Sequence, residues 1–281
     1  MIIEAFAKVN LSLRVHPRDS SGYHPIRSLI QSIGWSDTLS LEFAEDDRFT
    51  VTGPEAVTDD DDNLAWRAVT AVRDAAGSRQ RIGLGLDKHI PVESGLGGGS
   101  ADAAAGLMGA SRLLDVGEDV VGELAATLGS DVAFCLTGGT AWMEGHGGVL
   151  TPIHFTPDYT LAMAVPSISL STAEVYRRWD RLEGPSGVSV GGNRLPPSLR
   201  ELGPLGNDLL AAALDLRPDL GDWMADLAVR WERPVLLTGS GSALFAFFMD
   251  DDEAAAALAA LPPTRGTWSG LPQATGWRRV E

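Results

Sequence analysis

Residues 91–106 read PVESGLGGGSADAAAG, a glycine run that passes directly into alanine-rich sequence. Lacking a Cβ, the backbone from Gly95 to Gly99 can take positive φ and bring its own N–H groups close to phosphate oxygens. If residues 100–114 are helical, the unpaired N–H groups of the first turn and the positive end of the helix dipole face the same anion. Two common phosphate signatures are excluded. Gly99 is followed by Ser100 and Ala101, which is not a Walker A ending, and Ser100 stands where the Rossmann spacing from Gly95 and Gly97 needs a third glycine. A flexible turn that caps a core helix is the alternative reading of the same residues.

The chain has only two lysines, Lys8 and Lys88, against twenty arginines. A compact ammonium on a flexible stem does what a planar guanidinium cannot, so both positions draw attention, although a compositional bias toward arginine explains the count without any function. Lys88 lies just ahead of the glycine loop. Lys8 belongs to AFAKVNLSLRV, where Val9, Leu11, Leu13 and Val15 alternate as in a half-buried strand and leave Lys8 and Asn10 on the other face. That face is equally readable as the solvent side of the strand. Further along, Ser130-Asp131-Val132 puts a carboxylate at the entrance of the apolar segment DVAFCL, where an isolated charge is costly unless paired.

At 281 residues, with 44% hydrophobic and 21% charged content, the chain is of ordinary globular composition and long enough for one large or two medium domains. Its formal net charge of −16 argues against a protein that holds nucleic acid by neutralising phosphates. An anionic ligand must be gripped locally, and between His89 and Arg177 the only cationic side chain is Arg112, so backbone dipoles and a metal ion have to do most of the gripping. The single cysteine, Cys135, excludes an internal disulfide and reads as core. Neither a signal peptide nor an apolar run of membrane-spanning length is visible, which points to the cytoplasm and away from a membrane partner. The five histidines are scattered, which disfavours a zinc site.

The elements that must position these residues follow from periodicity and punctuation. Strands are expected near 2–15, 28–43, 81–90 and 160–165, with paired strands about glycine turns in 139–151. Helices are expected at 64–76, 100–114, 118–128, 172–182, 207–215 and 219–230. The acidic runs Asp59 to Asp62 and Asp250 to Asp252 each precede a helix-forming stretch, 64–76 and 254–260, and read as solvated helix starts, with Asp62 or Asn63 as the first cap. Residues 184–198 read as a loop, and PVLLTGSGSALFAFF as two apolar strands about a turn at Gly239 to Gly241. No internal repeat is visible. The order of elements implies an α+β protein in two halves.

AFAKVNLSL, SSGYHPI, PVESGLGGGSADAAAG, LGSDVAF and LTGSGSALF, in this order and spacing, resemble the GHMP kinase superfamily from Lys8 to about Phe248, more weakly between 184 and 205. The resemblance implies a two-domain α+β fold. A ribosomal-protein-like, ATP-binding N-terminal domain would span 1–155 and a ferredoxin-like substrate domain 156–281. It also implies phosphoryl transfer from ATP with Mg²⁺ to a small molecule. Lys8-Val9-Asn10, Gly22-Tyr23-His24 and the setting of Asp131 point within the superfamily to a cytidine diphosphate-linked methylerythritol as that substrate. By this resemblance Asp131 accepts the hydroxyl proton, with Lys8 beside it. Lys88 and the loop Pro91, Val92, Glu93, Ser94, Gly95, Leu96, Gly97, Gly98, Gly99, Ser100 and Ala101 hold ATP. Asn10, Tyr23, His24, Tyr176, Thr238 and Gly239 meet the substrate. A core position for Tyr176, a plain loop turn for Tyr23 and His24 and a plain β-turn at 238–242 are the competing readings. Glu93 and Asp102 depart from the expected pattern, since a carboxylate beside a triphosphate repels it unless it points outward or meets a cation. Rivals in function are a homoserine- or mevalonate-type kinase and a non-catalytic nucleotide-binding protein of the same fold. The metal ligands and the oligomeric state are left open.

Overall fold

The computed structural model describes residues 1–55, 57–259 and 261–281. The first half is built on β1 (Ile2–Val15), β2 (Ile26–Ala44), β3 (Arg48–Thr52), α1 (Leu64–Ala75), β4 (Arg81–Asp87), α2 (Gly98–Leu114), α3 (Glu118–Leu128), α4 (Ser130–Thr137), β5 (Thr140–Gly145) and β6 (Val149–Pro152). Then come β7 (Thr160–Val165), α5 (Thr172–Arg181), β8 (Ser189–Val190), β9 (Leu205–Gly206), α6 (Leu210–Leu216), α7 (Pro218–Trp231), β10 (Leu236–Leu237), β11 (Leu244–Phe248), α8 (Asp251–Leu258), β12 (Gly266–Gly270) and β13 (Trp277–Arg279).

A seven-stranded sheet runs β13-β1-β2-β4-β3, with β5 and β6 extending β2; its pairs are antiparallel except β3 with β4. A second, antiparallel sheet runs β10-β11-β7-β12. The last strand therefore returns to the first sheet, where Ile3 faces Arg279. Three apolar cores result. One lies between the large sheet and α1–α4, one joins β1 and β2 to β7 and β11, and one lies between the small sheet and α5–α8. Side chains such as Ile30, Leu39 and Phe245 are wholly buried there, and burying one of this size contributes roughly 1.5–3 kcal/mol.

Most expected elements form within two residues of their expected ends, and the acidic runs do precede helices. Asn63 caps α1 by accepting from the Ala65 N–H at 2.9 Å, and Asp250 caps α8 through Glu253. Ala260, the end of the second alanine-rich stretch, lies outside the described residues. Three differences matter. The helix after the glycine loop starts at Gly98 rather than 100, so the last two glycines of the run are its first turn. Residues 130–137 form a short helix that carries Asp131 in its first turn. Lys8 and Asn10 are not on a solvent face: both are 5% exposed. The cause is a pair of register shifts against β2, between Phe6 and Lys8 and between Asn10 and Ser12. Bulges re-aim side chains, and here Ile3 and Ala5 pack on the helices while Ala7, Val9 and Leu11 join the second core.

Candidate active site

The glycine loop is shaped by its neighbours as much as by any ligand it is to hold. At Gly97, with φ at 68°, an added Cβ would lie 2.8 Å from Lys8 Cε, and at Gly95, with φ at 83°, 2.4 Å from the Thr238 carbonyl oxygen. The loop thus fits between β1 and the turn after β10. Leu96 accepts the Lys8 N–H at 2.9 Å, Ser94 accepts the Ala243 N–H at 2.9 Å, and Asn10 donates its own N–H to Thr238 Oγ1 at 2.8 Å. The Ala101 N–H bonds back to Gly97, which leaves those of Gly98, Gly99 and Ser100 as the donors of the helix start without an acceptor among the described residues. Pro91, Val92, Glu93, Ser94, Gly95, Gly97, Gly98, Gly99 and Ser100 line a cavity of about 530 Å³; Leu96 and Ala101 lie behind it, fully buried.

Lys8 Nζ lies 3.3 Å from Asp131 Oδ2 and donates to Asn10 Oδ1 at 2.7 Å. Asn10 is fixed from the other side by Ser28, to which its amide donates at 2.8 Å. The lysine is thereby buried with two partners, while Asp131, 36% exposed, keeps an open side toward the cavity. Lys88 is tied more deeply. It pairs with the wholly buried Asp37 and, at 2.9 Å, with Asp102 Oδ2, and its Nζ sits against Gly98, where a Cβ would come within 2.7 Å. Burial alone would lower the Lys88 pKa, but the two carboxylates raise it above the usual value. Asp102 goes the other way from an ordinary carboxylate. Burial, reinforced by Asp37, pushes it well up against the pull of Lys88, and its Oδ1 has no hydrogen-bond partner among the described residues. The Asp102 side chain therefore turns toward Lys88, while Glu93 is exposed at the cavity rim with φ at 48°.

A second cavity, of about 580 Å³, shares Ile26, Thr172 and Tyr176 with the first and is lined by Tyr23 and His24. His24 stacks on Tyr176 with ring centroids 5.5 Å apart and meets the edge of Trp179 at 5.2 Å. Its Nδ1 is 2.9 Å from the His16 carbonyl, which makes that nitrogen the donor. Its Nε2 lies 3.1 Å from Asp180 Oδ1 but in a geometry that makes no hydrogen bond. Tyr176 packs partly on the third core while opening on both cavities, and burial pushes its hydroxyl up to about 12, with Asp131 adding to the shift. Tyr23 is 68% exposed. Gly239 lines the first cavity; Thr238 is buried behind it.

Several lining residues were not among the expected ones. Val57, Thr58, Asn63 and Leu64 form a wall of the first cavity, in a stretch readable only as the approach to a helix. Ser240 and Thr172 face each other with their hydroxyls 2.8 Å apart, and Arg18, Ser130, His146 and Arg177 complete the second cavity. The polar, glycine-flanked composition of 238–242 was the available signal for Ser240. For the others, nothing local distinguishes them from surface residues.

A loop and helix start that present backbone donors beside a buried lysine and an aspartate open to the cavity suit transfer of an anionic group to a hydroxyl. Residues 63–139 match the GHMP kinases N terminal domain. A homoserine kinase from Cytophaga hutchinsonii shares the fold over 99% of this chain and 96% of its own, with a TM-score of 0.62 at 16% identity. The fold is that of the GHMP kinases, phosphotransferases that use ATP. The 4-diphosphocytidyl-2-C-methyl-D-erythritol kinase of Cutibacterium acnes is 37% identical over 98% of this chain and 95% of its own length, and that of Bacillus subtilis 36% over 86% of each. A crystal structure of 4-(cytidine 5'-diphospho)-2C-methyl-D-erythritol kinase superposes over 96% of this chain and 98% of its own with a TM-score of 0.78 at 31% identity. The chain belongs to the family of 4-diphosphocytidyl-2-C-methyl-D-erythritol kinases. Among the described residues, no helix is long and apolar enough to cross a membrane.

Proposed function

We propose that the protein transfers the γ-phosphoryl group of ATP to the 2-hydroxyl of 4-diphosphocytidyl-2-C-methyl-D-erythritol, in the cytoplasm, as a step of the non-mevalonate route to isopentenyl diphosphate. The observation that carries this reading is the place of the Lys8–Asp131 pair, 3.3 Å apart, in a cavity that is lined by the phosphate loop and shares Ile26, Thr172 and Tyr176 with a cavity lined by aromatic rings. Asp131 accepts the proton of the 2-hydroxyl as its oxygen bonds to the γ-phosphorus and the bond to the β-phosphate oxygen breaks, releasing ADP. Lys8, held by Asn10, stabilises negative charge on the attacking oxygen. The N–H groups of Gly98, Gly99 and Ser100 receive the phosphates of ATP, and Lys88 supports Gly98 from below. His24 and Tyr176 take the cytosine ring, with Tyr23 closing from the solvent side, and Gly239 borders the polyol, with Thr238 fixed behind it by the Asn10 N–H. Residues 1–155 supply the nucleotide side, and the substrate side is shared between 1–155, through Tyr23 and His24, and 156–281, through Tyr176 and Gly239.

Mg²⁺ fits this donor set. Among the described residues no three His, Cys, Asp or Glu side chains cluster as metal ligands, and Mg²⁺ in nucleotide sites takes most of its ligands from phosphates and water. The Ser100 hydroxyl, which lines the cavity beside the helix N–H groups, would be a protein oxygen able to help hold it. When bound, the ion neutralises charge on the β- and γ-phosphates. The test is turnover of purified protein with ATP, Mg²⁺ and 4-diphosphocytidyl-2-C-methyl-D-erythritol, following ADP and the phosphorylated product. Turnover with homoserine or mevalonate in its place, or ATP binding with no turnover of any of the three, would overturn the reading.

A further inference from the structure

We infer that Glu55 and Arg265 are positioning residues for ATP, fastening the outer edge of the phosphate loop to the nucleotide-cavity wall and to the C-terminal sheet. The inference rests on the kinase reading above. Neither residue lines the cavity; both act through Val92, which does. Glu55 Oε2 accepts the Val92 N–H at 2.7 Å. Arg265 grips the same carboxylate with both arms of its fork, Nε to Oε1 and Nη2 to Oε2 at 2.7 Å each, and Nη2 also donates to the Val92 carbonyl. Both polar backbone groups of one loop residue are thus held by a single side-chain pair, and two-armed charged bonds of this kind are both strong and directional.

Each end of the clamp is itself anchored. The Arg265 N–H bonds to the Val165 carbonyl at the end of β7 at 2.8 Å, and Gly266 pairs with Val165 as β12 begins. A Cβ on Gly266 would lie 2.9 Å from the Trp35 ring and 3.0 Å from Pro91 Cγ, so glycine lets this strand start against the loop. On the other side, Glu55 precedes Val57 and Thr58, which form the cavity wall. The pair is largely buried, with side chains 17% and 19% exposed, where a charged bond is little screened. Burial alone would raise the Glu55 pKa, but Arg265, the Val92 N–H and the nearby charge of Lys88 together hold it below the ordinary glutamate value. The residue after Val92 shows why such fixing is needed. Glu93 has φ at 48°, a conformation that a residue with a Cβ keeps only when its surroundings over-determine it. A loop that relaxes at 92–93 loses the shape of its nucleotide-facing edge while leaving Lys8 and Asp131 in place.

The test is calorimetric titration with the non-hydrolysable analogue AMP-PNP and Mg²⁺, beside steady-state kinetics, on wild type, Glu55→Gln and the double variant Glu55→Arg with Arg265→Glu. Glu55→Gln keeps the shape and loses the charge. It is expected to weaken AMP-PNP about tenfold and raise KM for ATP to match, with kcat and KM for the second substrate within about twofold. The swapped pair restores an ion pair but sets a guanidinium against the Val92 N–H and a carboxylate against its carbonyl, so it should regain thermal stability over Glu55→Gln without regaining AMP-PNP affinity. Wild-type affinity in Glu55→Gln, or recovery of affinity in the swap, would reduce the pair to an ordinary salt bridge and overturn the inference. These binding measurements do not need the polyol. Normal loop dependence of AMP-PNP binding without polyol turnover would therefore count against the proposed substrate and leave the clamp standing.

Discussion

The two ends of the cleft are built on opposite principles. At the glycine-loop end the proposed binding groups are backbone N–H groups, and the side chains beneath them are all at most 5% exposed and bonded in two groups, Lys8 with Asn10 and Lys88 with Asp37 and Asp102. At the aromatic end the proposed binding groups are side chains, and Tyr23 stands 68% exposed with no hydrogen bond from its hydroxyl among the described residues. Geometry at the first end is over-determined by packing, as phosphoryl transfer requires of groups that must meet within a few tenths of an ångström. At the second end a flat ring needs only a face and a few polar atoms, and residues that move cost little. Substitutions should therefore act on rate at one end and on affinity at the other.

The largest effect is expected from Asp131→Asn. Removing the proposed proton acceptor should lower kcat by roughly 10²- to 10⁴-fold, about 3–5 kcal/mol in the barrier, with AMP-PNP binding intact. A loss of nucleotide affinity with kcat preserved would move Asp131 out of the reaction. Next comes Gly97→Ala, which tests the backbone-built end without touching a functional group. The new methyl would sit 2.8 Å from Lys8 Cε at a φ of 68°, so either the loop or the lysine must shift. A displacement of that order costs about 10²-fold in kcat, and an unchanged kcat would show that the phosphoryl end has more slack than its packing suggests.

At the aromatic end, Tyr176→Ala should raise KM for the cytidine-linked substrate about tenfold or somewhat more, from the roughly 1–3 kcal/mol that stacking of a base on an aromatic side chain contributes. KM for ATP should not move, as steady-state kinetics with each substrate varied in turn will show. If kcat fell instead while KM held, the difference between the two ends would collapse, and Tyr176, which opens on both cavities, would belong to the reacting geometry.

How much of this was legible in the sequence follows the same division. The glycine loop and its helix could be read because the signal is local and continuous. Asp131 could be flagged because a carboxylate entering an apolar segment demands a partner, and Lys8 because lysine is so scarce. The faces of β1 were half legible. Alternation put Lys8 and Asn10 together, but the bulges that bury them depend on pairing with β2 and leave no mark in periodicity. Long-range partners were invisible: Lys88 meets Asp37 across 51 positions and Arg265 meets Glu55 across 210. Asn63 shows a different limit. Its cap role was readable from position, while its place in the cavity wall depends on how the loop ahead of it folds back. The strands β12 and β13 went unread because short, tryptophan- and glycine-containing segments carry too little alternation to stand out.

The smallest effect is a stability change confined to the packed end. Lys88 lies between two carboxylates, and Asp102 is the one whose pKa is pushed well up. Between the unfolded value near 3.8 and the raised folded value, the folded protein binds a proton that the unfolded chain releases. Stability from this group is therefore fullest at low pH and declines as pH rises through that window. Asparagine matches the protonated carboxyl in shape and cannot ionise, and Asp102→Asn leaves the Lys88–Asp37 pair intact. The variant should match wild type in Tm near pH 4 and exceed it at pH 8, the gap opening as pH rises through that window. Thermal melts at the two pH values decide it. A variant less stable at pH 8 than wild type would mean that Asp102 is ionised in the fold, and that the phosphate loop rests on a charged triad rather than on a neutral acid beside a single ion pair.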